Sequence, residues 1–396
     1  MLYERICMKK ILLLTVALTT LTVASANAKL FDLDLTQGSL NESRSYDSVL
    51  KLFDDYEDGK LNKVISTYDD TVASSGIVNF RGISMNLDFD NSAVLTFKVD
   101  SLGIKETFDG GTQKESFKLF KKYLEKNKND ILKKILKAGV EKTPFDAVAG
   151  NPNSLMSQMA DASFYRAGGN SVTGFVGYLS PAATRHNISF HGEKVKATTT
   201  SLPIGATFNL GDSGWALLWD MPITYTNMEG SQSYMAQMGF GLKIPVATYW
   251  NVTPAIRGGV VSSSDMLSGS ALYSGTLTSD VSVPVGNWTL GMTNMAGLIR
   301  SLDISVDGYD AEYDMQNQVY KNGVHVRYDF NDKYAVGAAY DYTFYTGDDL
   351  YIDKYHYVEV SATRKTEGFI SGVSLVGSYT FDSNYKAYHL GLRLSF

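Results

Sequence analysis

One short motif contains the residue types of a catalytic nucleophile. Gly211-Asp212-Ser213-Gly214 is a glycine-flanked Asp-Ser pair, as a serine protease would use. Trp215 departs from that pattern, and Gly, Asp and Ser are also the residues that favour tight turns. None of the five histidines has an HExxH or other metal-ligand spacing: they are His186, His191, His325, His356 and His389. We therefore predict no catalytic or cofactor-binding residue, and an enzyme is the weakest alternative.

Two acidic segments in the last third of the chain could bind Ca²⁺, because clustered carboxylates are the ligands that this ion prefers. Segment 345–352 and its neighbour contribute Asp348, Asp349 and Asp353, and segment 301–318 contributes Asp303, Asp307, Asp310, Glu312 and Asp314. The spacing does not match an EF-hand loop. We therefore predict no metal site and expect solvated carboxylates, which on an outer surface would meet divalent ions that bridge lipopolysaccharide.

The composition excludes several classes of protein. The chain has 396 residues, 42 acidic and 36 basic side chains, and one cysteine. A net charge of −6 argues against a dedicated nucleic-acid binder, because phosphate neutralisation needs a basic surface. A single cysteine excludes a disulfide scaffold and a cysteine-based zinc site. No apolar run reaches the about 18–20 residues of a membrane-spanning helix.

Residues 1–28 have the features of a signal peptide. Met8-Lys9-Lys10 is basic, residues 11–23 are mostly apolar, and Ala26-Asn27-Ala28 is a small-x-small cleavage site with Ala26 and Ala28 at its small positions. Cleavage after Ala28 would remove Cys7, which suits an oxidising envelope compartment. We predict export to the envelope of a Gram-negative bacterium.

The remaining chain changes in composition at about residue 150. The charged fraction falls from 31% in 29–150 to 15% in 151–396. Residues 29–150 are predicted to form a small α+β domain, because period-two alternation in 83–89 and 95–99 flanks a turn and indicates a hairpin. A long amphipathic helix is predicted over about 112–139, with Thr112 as its N-cap.

The predicted helix is strongly basic. Ten lysines lie between Lys114 and Lys142 with only four acidic residues, a local charge of +6. We favour an amphipathic helix that covers the hairpin and keeps its lysines in water. A helix inside a pore and a helix on an anionic lipid surface are the alternatives.

Residues 171–396 are predicted to form a transmembrane antiparallel β-barrel of about twelve strands, so the fold class is mainly β. The last strand shows the alternation of apolar outward and polar inward residues that lipid-facing strands require. Only a closed barrel lets strands satisfy every backbone group in hydrocarbon. The outward residues are also the predicted barrel-assembly signal: Tyr388, Leu390, Leu392, Leu394 and Phe396.

The connections between the predicted strands alternate in length. The longer set is expected outside the cell and the shorter set in the periplasm. The first barrel strand is expected to start, and the last one to end, on the periplasmic side. Eleven tyrosines between Tyr309 and Tyr357 favour an aromatic girdle at the lipid–water interface. The mostly longer set of connections is predicted at 180–196, 226–232, 262–269, 301–318, 345–352 and 382–385.

Residues 171–396, with the terminal strand Tyr388–Phe396, resemble the translocator β-domain of autotransporters. Within the linker 151–170, the segment Ser154–Ala160 resembles the short helix that this family places in its pore. The long repetitive passenger of the usual member is missing, because only about 125 residues precede the helix. The resemblance therefore implies a solitary or reduced autotransporter-like protein.

This resemblance implies an integral outer-membrane β-barrel whose N-terminal segment is exported through the pore or plugs it. Two alternatives stay open: a surface adhesin or receptor that uses loops 180–196 and 301–318, and a pore or channel with a periplasmic N-terminal domain. The implied partners are outer-membrane lipid, lipopolysaccharide, the barrel-assembly machinery and an unidentified extracellular ligand. No cofactor is expected.

Overall fold

A computed structural model describes residues 31–46, 55, 60–126, 128–168, 175–263, 268–302, 304–306, 309–311 and 313–396. The predicted signal peptide, with Ala26 and Ala28, lies outside these residues. No helix in the described part of the chain is long and apolar enough to cross a membrane.

The N-terminal domain is built on a six-stranded antiparallel sheet of order β2-β1-β3-β4-β5-β6. The predicted hairpin is confirmed, since β4 pairs with β5 with Phe89 opposite Leu95. Alternate residues of the central strands are buried on one face, which is why these sequences form strands. The strands are β1 (Phe31–Gln37), β2 (Leu40–Tyr46), β3 (Ser74–Phe80), β4 (Ile83–Phe89), β5 (Leu95–Val99) and β6 (Ile104–Phe108).

Two helices stand where one long helix was predicted, so that prediction is not confirmed. They are α1 (Gln113–Lys126) and α2 (Lys128–Lys142). The Glu115 amide donates to Thr112 Oγ1 at 3.2 Å, as expected for the N-cap. The helices pack on different partners: α1 covers β5 and β6, whereas α2 contacts β4 and a small hairpin that rises from the barrel.

The second unit is a closed antiparallel barrel, and in the described residues its strands occupy twelve positions. The strands are β7 (Phe175–Leu179), β8 (Ala182–Phe190), β9 (Glu193–Asn209), β10 (Ala216–Met228), β11 (Ser231–Ala247), β12 (Trp250–Ser263), β13 (Ser268–Val285), β14 (Trp288–Leu302), β17 (Gln316–Asp329), β18 (Tyr334–Gly347), β19 (Lys354–Lys365), β20 (Gly372–Phe381) and β21 (Tyr385–Ser395). The short strands β15 (Ile304–Val306) and β16 (Tyr309–Ala311) form the small hairpin between β14 and β17.

The first barrel position is shared by β7 and β8. Both pair with β9 in one continuous register, and both pair with the last strand, β21, which closes the barrel. The interruption falls at Ser180 and Pro181, because proline has no N–H to give to the ladder. The Pro181 carbonyl still accepts from the Leu392 amide at 2.9 Å.

The two ends of the barrel differ, and we name them by what they hold. At the closing end, Phe396 and Gly177 exchange two backbone hydrogen bonds. The capped end lies opposite and holds the turns at 191–192, 229–230 and 348–353. The N-terminal domain packs on the capped end.

Outward-facing aromatic side chains form two belts around the barrel. On β18, Tyr334 lies in the belt near the closing end and Phe344 in the belt near the capped end. Ten residues at about 3.3 Å each, on strands tilted by about 40°, put the belts about 25 Å apart. That spacing matches the apolar band of an outer-membrane barrel.

The expectation that 180–196 forms a loop is wrong. Strand β8 runs to Phe190 and β9 begins at Glu193, so the connection is a two-residue turn. The hairpin rises above the aromatic belt, where its outward side chains are polar and its inward Ile188 and Val195 are buried against the N-terminal domain. The predicted loop 226–232 is likewise reduced to the turn between Met228 and Ser231.

Candidate functional site in the barrel lumen

Helix α3 (Leu155–Ala167) lies inside the barrel. Ser154 caps it, since the Ser154 hydroxyl accepts from the Ser157 amide at 3.4 Å. Leu155 and Met156 donate their amides to Ala147 and Val148 at 2.9 Å each, which anchors the start of the helix at the capped end. The predicted short helix over 154–160 is therefore present, and it runs from the capped end towards the closing end.

The upper part of α3 is joined to the barrel wall by neutral hydrogen bonds. Asn153, just before the helix, donates to Thr226 Oγ1 at 3.2 Å and accepts from Thr199 Oγ1 at 3.0 Å. Gln158 Oε1 accepts from Thr224 Oγ1 at 2.9 Å. These buried amide and hydroxyl groups satisfy one another, so they fix the rotation of the helix in the lumen.

A buried lysine holds the middle of the helix. Lys321 on β17 is fully buried, and its Nζ lies 2.6 Å from Asp161 Oδ1 on α3 and 4.0 Å from Asp341 Oδ2 on β18. Tyr165 on α3 donates to Asp341 Oδ2 at 2.7 Å. The ammonium also lies 4.6–6.0 Å from the ring centroids of Phe164, Tyr165, Tyr355 and Tyr357, close enough for cation–π attraction.

Arginines hold the lower part of the helix. Arg166 on α3 donates to the Ala206 carbonyl at 2.5 Å and to Thr207 Oγ1 at 2.6 Å. Arg257 forms a two-pronged ion pair with Asp220, at 2.9 and 2.8 Å, and its Nε donates to Ser163 Oγ at 3.2 Å. Neutral hydrogen bonds near the start of α3, the Lys321–Asp161 ion pair at its middle and the arginine contacts at its end thus join the helix to the barrel wall.

The residues that the sequence singled out for chemistry do not come together. Ser213 lies in an exposed turn, where its hydroxyl donates to the Leu210 carbonyl at 3.0 Å. His186 is buried in the wall between Tyr385 and Thr199, at 2.5 and 2.9 Å. Within the described ranges, no group of three or more His, Cys, Asp or Glu side chains is arranged to hold a metal ion.

The N-terminal domain and the barrel share one continuous core at the capped end. Arg81 and Asp146 form a fully buried ion pair at 2.9 Å, and Tyr313 of the barrel donates to the same carboxylate at 3.2 Å. The Tyr351 amide of the barrel donates to the Val140 carbonyl at 2.9 Å. The segment 143–157 that joins the domain to α3 is buried throughout.

The basic helix α2 and the acidic loops of the barrel meet at this interface. Lys133 and Lys137 on α2 pair with Asp314 and Asp348 of the barrel, at 3.4 and 3.2 Å. The basic helix therefore meets acidic loops of its own chain, an arrangement that the sequence reasoning missed although their opposite charges were visible. Of the other acidic positions, Asp303, Asp307 and Glu312 lie outside the described residues.

A substitution at Gly150 tests how tightly segment 143–157 packs at the capped end. Its φ is +85°, and a Cβ there would lie 2.4 Å from the Val140 carbonyl oxygen, so Gly150→Ala adds a backbone clash to the strain of a left-handed residue. We expect a loss of about 2–4 kcal/mol in the free energy of unfolding. Gly103→Ala is the control, since Gly103 has φ +63° with open space around it and should lose about 1 kcal/mol. Equal losses in chemical denaturation would contradict the tight seat.

The predicted assembly-signal residues occupy different surroundings. Tyr388 and Leu390 are exposed on the lipid-facing side, whereas Leu394 is buried. Phe396 stacks on Phe369, with centroids 5.4 Å apart, and packs against Gly177. Their role in assembly stays a prediction.

No family model matches the chain, and no curated protein matches it. Similar solved structures include the translocator domain of the autotransporter NalP from Neisseria meningitidis, at 11% identity and a TM-score of 0.46, covering 61% of this chain and 95% of that one. They also include the β-domain of the Bordetella autotransporter BrkA, at 13% identity and a TM-score of 0.42, covering 56% and 99%. The KdgM porin has 11% identity and a TM-score of 0.36, covering 55% and 99%. The similar structures thus include autotransporter translocator domains as well as porins and an outer-membrane channel.

Proposed function

We propose that this chain is an integral outer-membrane β-barrel of the autotransporter type, with its N-terminal domain held on the extracellular mouth and α3 plugging the pore. One observation carries the proposal: α3 spans the lumen, so the domain and Phe396 lie at opposite ends of the barrel. If the closing end is periplasmic, as predicted for the start of the first barrel strand and the end of the last one, the domain lies outside the cell.

The fill of the lumen favours a plug over an open pore. Polar and ionic contacts join α3 to inward side chains of β10, β12, β17 and β18, which lie on different sides of the wall. A channel with a periplasmic N-terminal domain would need the reverse orientation, with Phe396 at the cell surface. The role is therefore one of presentation rather than catalysis.

The contacts at the capped end also bear on where an extracellular ligand would bind. The hairpin of β8 and β9 and the loop between β14 and β17 both contact the N-terminal domain, through Phe190 on Phe145 and through Tyr313 on Asp146. An extracellular ligand would therefore meet the domain before the barrel turns. Around the barrel, lipid and lipopolysaccharide are the surroundings, and the barrel-assembly machinery is the partner that inserts it.

Cysteine labelling of intact cells tests the orientation. Ser92→Cys is exposed in the turn between β4 and β5, and Asp332→Cys is exposed in a turn at the closing end. With a membrane-impermeant maleimide we expect Ser92→Cys to react on intact cells, and Asp332→Cys to react only after the outer membrane is permeabilised. The reverse pattern would rule out a surface-exposed domain, and equal protection of both would rule out insertion with either end outside.

A further inference from the structure

The lipid-facing surface near the closing end contains a groove of about 420 Å³ between β18 and β21. Small Ala362 forms its floor, with Val336 and Leu375 as its direct neighbours on the adjoining strands. Leu392 lies opposite Leu375, and Phe330 and Tyr334 border the groove at the closing end. The shape follows from the sequence, because one alanine stands among larger apolar side chains.

One charged side chain borders this apolar groove. Arg364 lies directly opposite Tyr334 and is exposed on the same outward face. Two neighbouring cations are already paired, since Arg327 and Lys365 lie 2.9 and 3.2 Å from Asp329. No ion pair joins Arg364 to another residue that the structure describes. A guanidinium at the level of the aromatic belt is therefore available to an external anion.

The combination of an apolar groove and a cation at the interface fits one class of ligand. Arginine matches phosphate oxygens in a two-pronged geometry, and basic pockets beside membrane-spanning surfaces bind anionic lipid headgroups. We propose that this groove binds an anionic phospholipid of the periplasmic leaflet, with an acyl chain over Ala362 and its phosphate on Arg364. The proposal rests on the membrane placement proposed above.

The barrel offers its own comparison site. A second lipid-facing groove of about 540 Å³ is lined by residues that include Ile256, Leu277 and Ala296, and no charged side chain lines it. Lipid can fill such a groove without regard to headgroup charge. A preference for anionic lipid is therefore expected from the Arg364 groove and not from this one.

Native mass spectrometry of the full mature chain in detergent tests the proposal. The probes are palmitoyl-oleoyl phosphatidylglycerol and the matching phosphatidylethanolamine, which share their acyl chains. We expect one phosphatidylglycerol molecule to be retained with about fivefold preference, the effect of one cation near a membrane surface. Arg364→Gln should abolish the preference, Arg364→Lys should retain part of it, and Ala362→Phe should remove the retained lipid.

Two matched variants are the controls. Arg185→Gln removes an outward arginine above the belt near the capped end, and Ala296→Phe fills the second groove; neither should change the preference. Equal retention of both lipids by the unaltered chain, or an Arg364→Gln variant that keeps the preference, would overturn the proposal. A chain that is monodisperse without detergent would instead overturn the membrane placement itself, so the two failures are distinguishable.

Discussion

Replacing Lys321 by Met is expected to loosen α3 in the lumen more than any other single change in the barrel wall. Methionine keeps most of the volume but removes the ammonium that Asp161 and Asp341 share at 2.6 and 4.0 Å. Removing one partner of a buried ion pair costs about 3–5 kcal/mol. The side chain of Asp161 is 29% exposed, so we expect a value near 3 kcal/mol, at the low end of that range.

Planar-bilayer recordings measure this loss directly. A cost of about 3 kcal/mol raises the population of barrels with a displaced helix on the order of 100-fold, so Lys321→Met should conduct far more often than the unaltered chain. Lys194→Met removes an exposed lysine of the β8–β9 hairpin and should leave the recordings unchanged. In the double variant Lys321→Met/Asp161→Asn, the free-energy cost to the seating of α3 should be smaller than the sum of the costs of the two single variants, because no unpaired charge is left on the helix. Identical silence of all variants would show that Lys321 does not hold the plug.

Replacing Asp146 by Asn is expected to release the N-terminal domain from the capped end. Asp146 accepts from Arg81, from Tyr313 and from the Val148 amide. Nε and Nη2 of Arg81 are buried without a partner among the described atoms, so Asp146 is the acceptor that compensates this guanidinium. An unpaired buried charge costs about 3–5 kcal/mol.

Hydrogen exchange read by mass spectrometry checks the release. The amides of Val148, Met156 and Tyr351 should exchange on the order of 100-fold faster in Asp146→Asn, because Val148 and Met156 bond within the buried segment that Asp146 fixes and Tyr351 bonds across the interface to Val140. Asp314→Asn is the matched control. It removes a partner that is 76% exposed at the same interface, and it should cost about 0–1 kcal/mol. Unchanged exchange in Asp146→Asn would mean that apolar contacts alone hold the domain.

The barrel could be predicted because lipid imposes a one-sided pattern on each strand. The last strand shows Tyr388 and Leu390 on the outward face and His389 on the inward face, and its direction follows from that alternation. Where a strand rises above the lipid, the pattern reverses. His186, Ile188 and Val195 point inward while Arg185 and Lys194 point outward, so a search for outward apolar residues assigned a loop.

The partners of the N-terminal helices could not be predicted, since they depend on residues far apart in the chain. Lys137 and Asp348 are separated by 211 positions, and each alone reads as a solvated surface charge. The lumen contacts were hidden for the same reason. Lys321 looks like an ordinary inward polar residue of a strand until Asp161, 160 positions earlier, is placed beside it.

Helix α3 in the lumen restricts how the N-terminal domain can reach the capped end. A helix with its side chains is about 10–12 Å across, whereas a six-stranded sheet is about 24 Å wide before its side chains are added. A finished domain is therefore too large for the passage that α3 occupies. If the domain crosses through this barrel, it must thread as an extended chain and fold only on the far side. Burial of Phe145 and Val148 at the capped end then disfavours return of the chain through the barrel. Folding of the domain would therefore make its passage one-way.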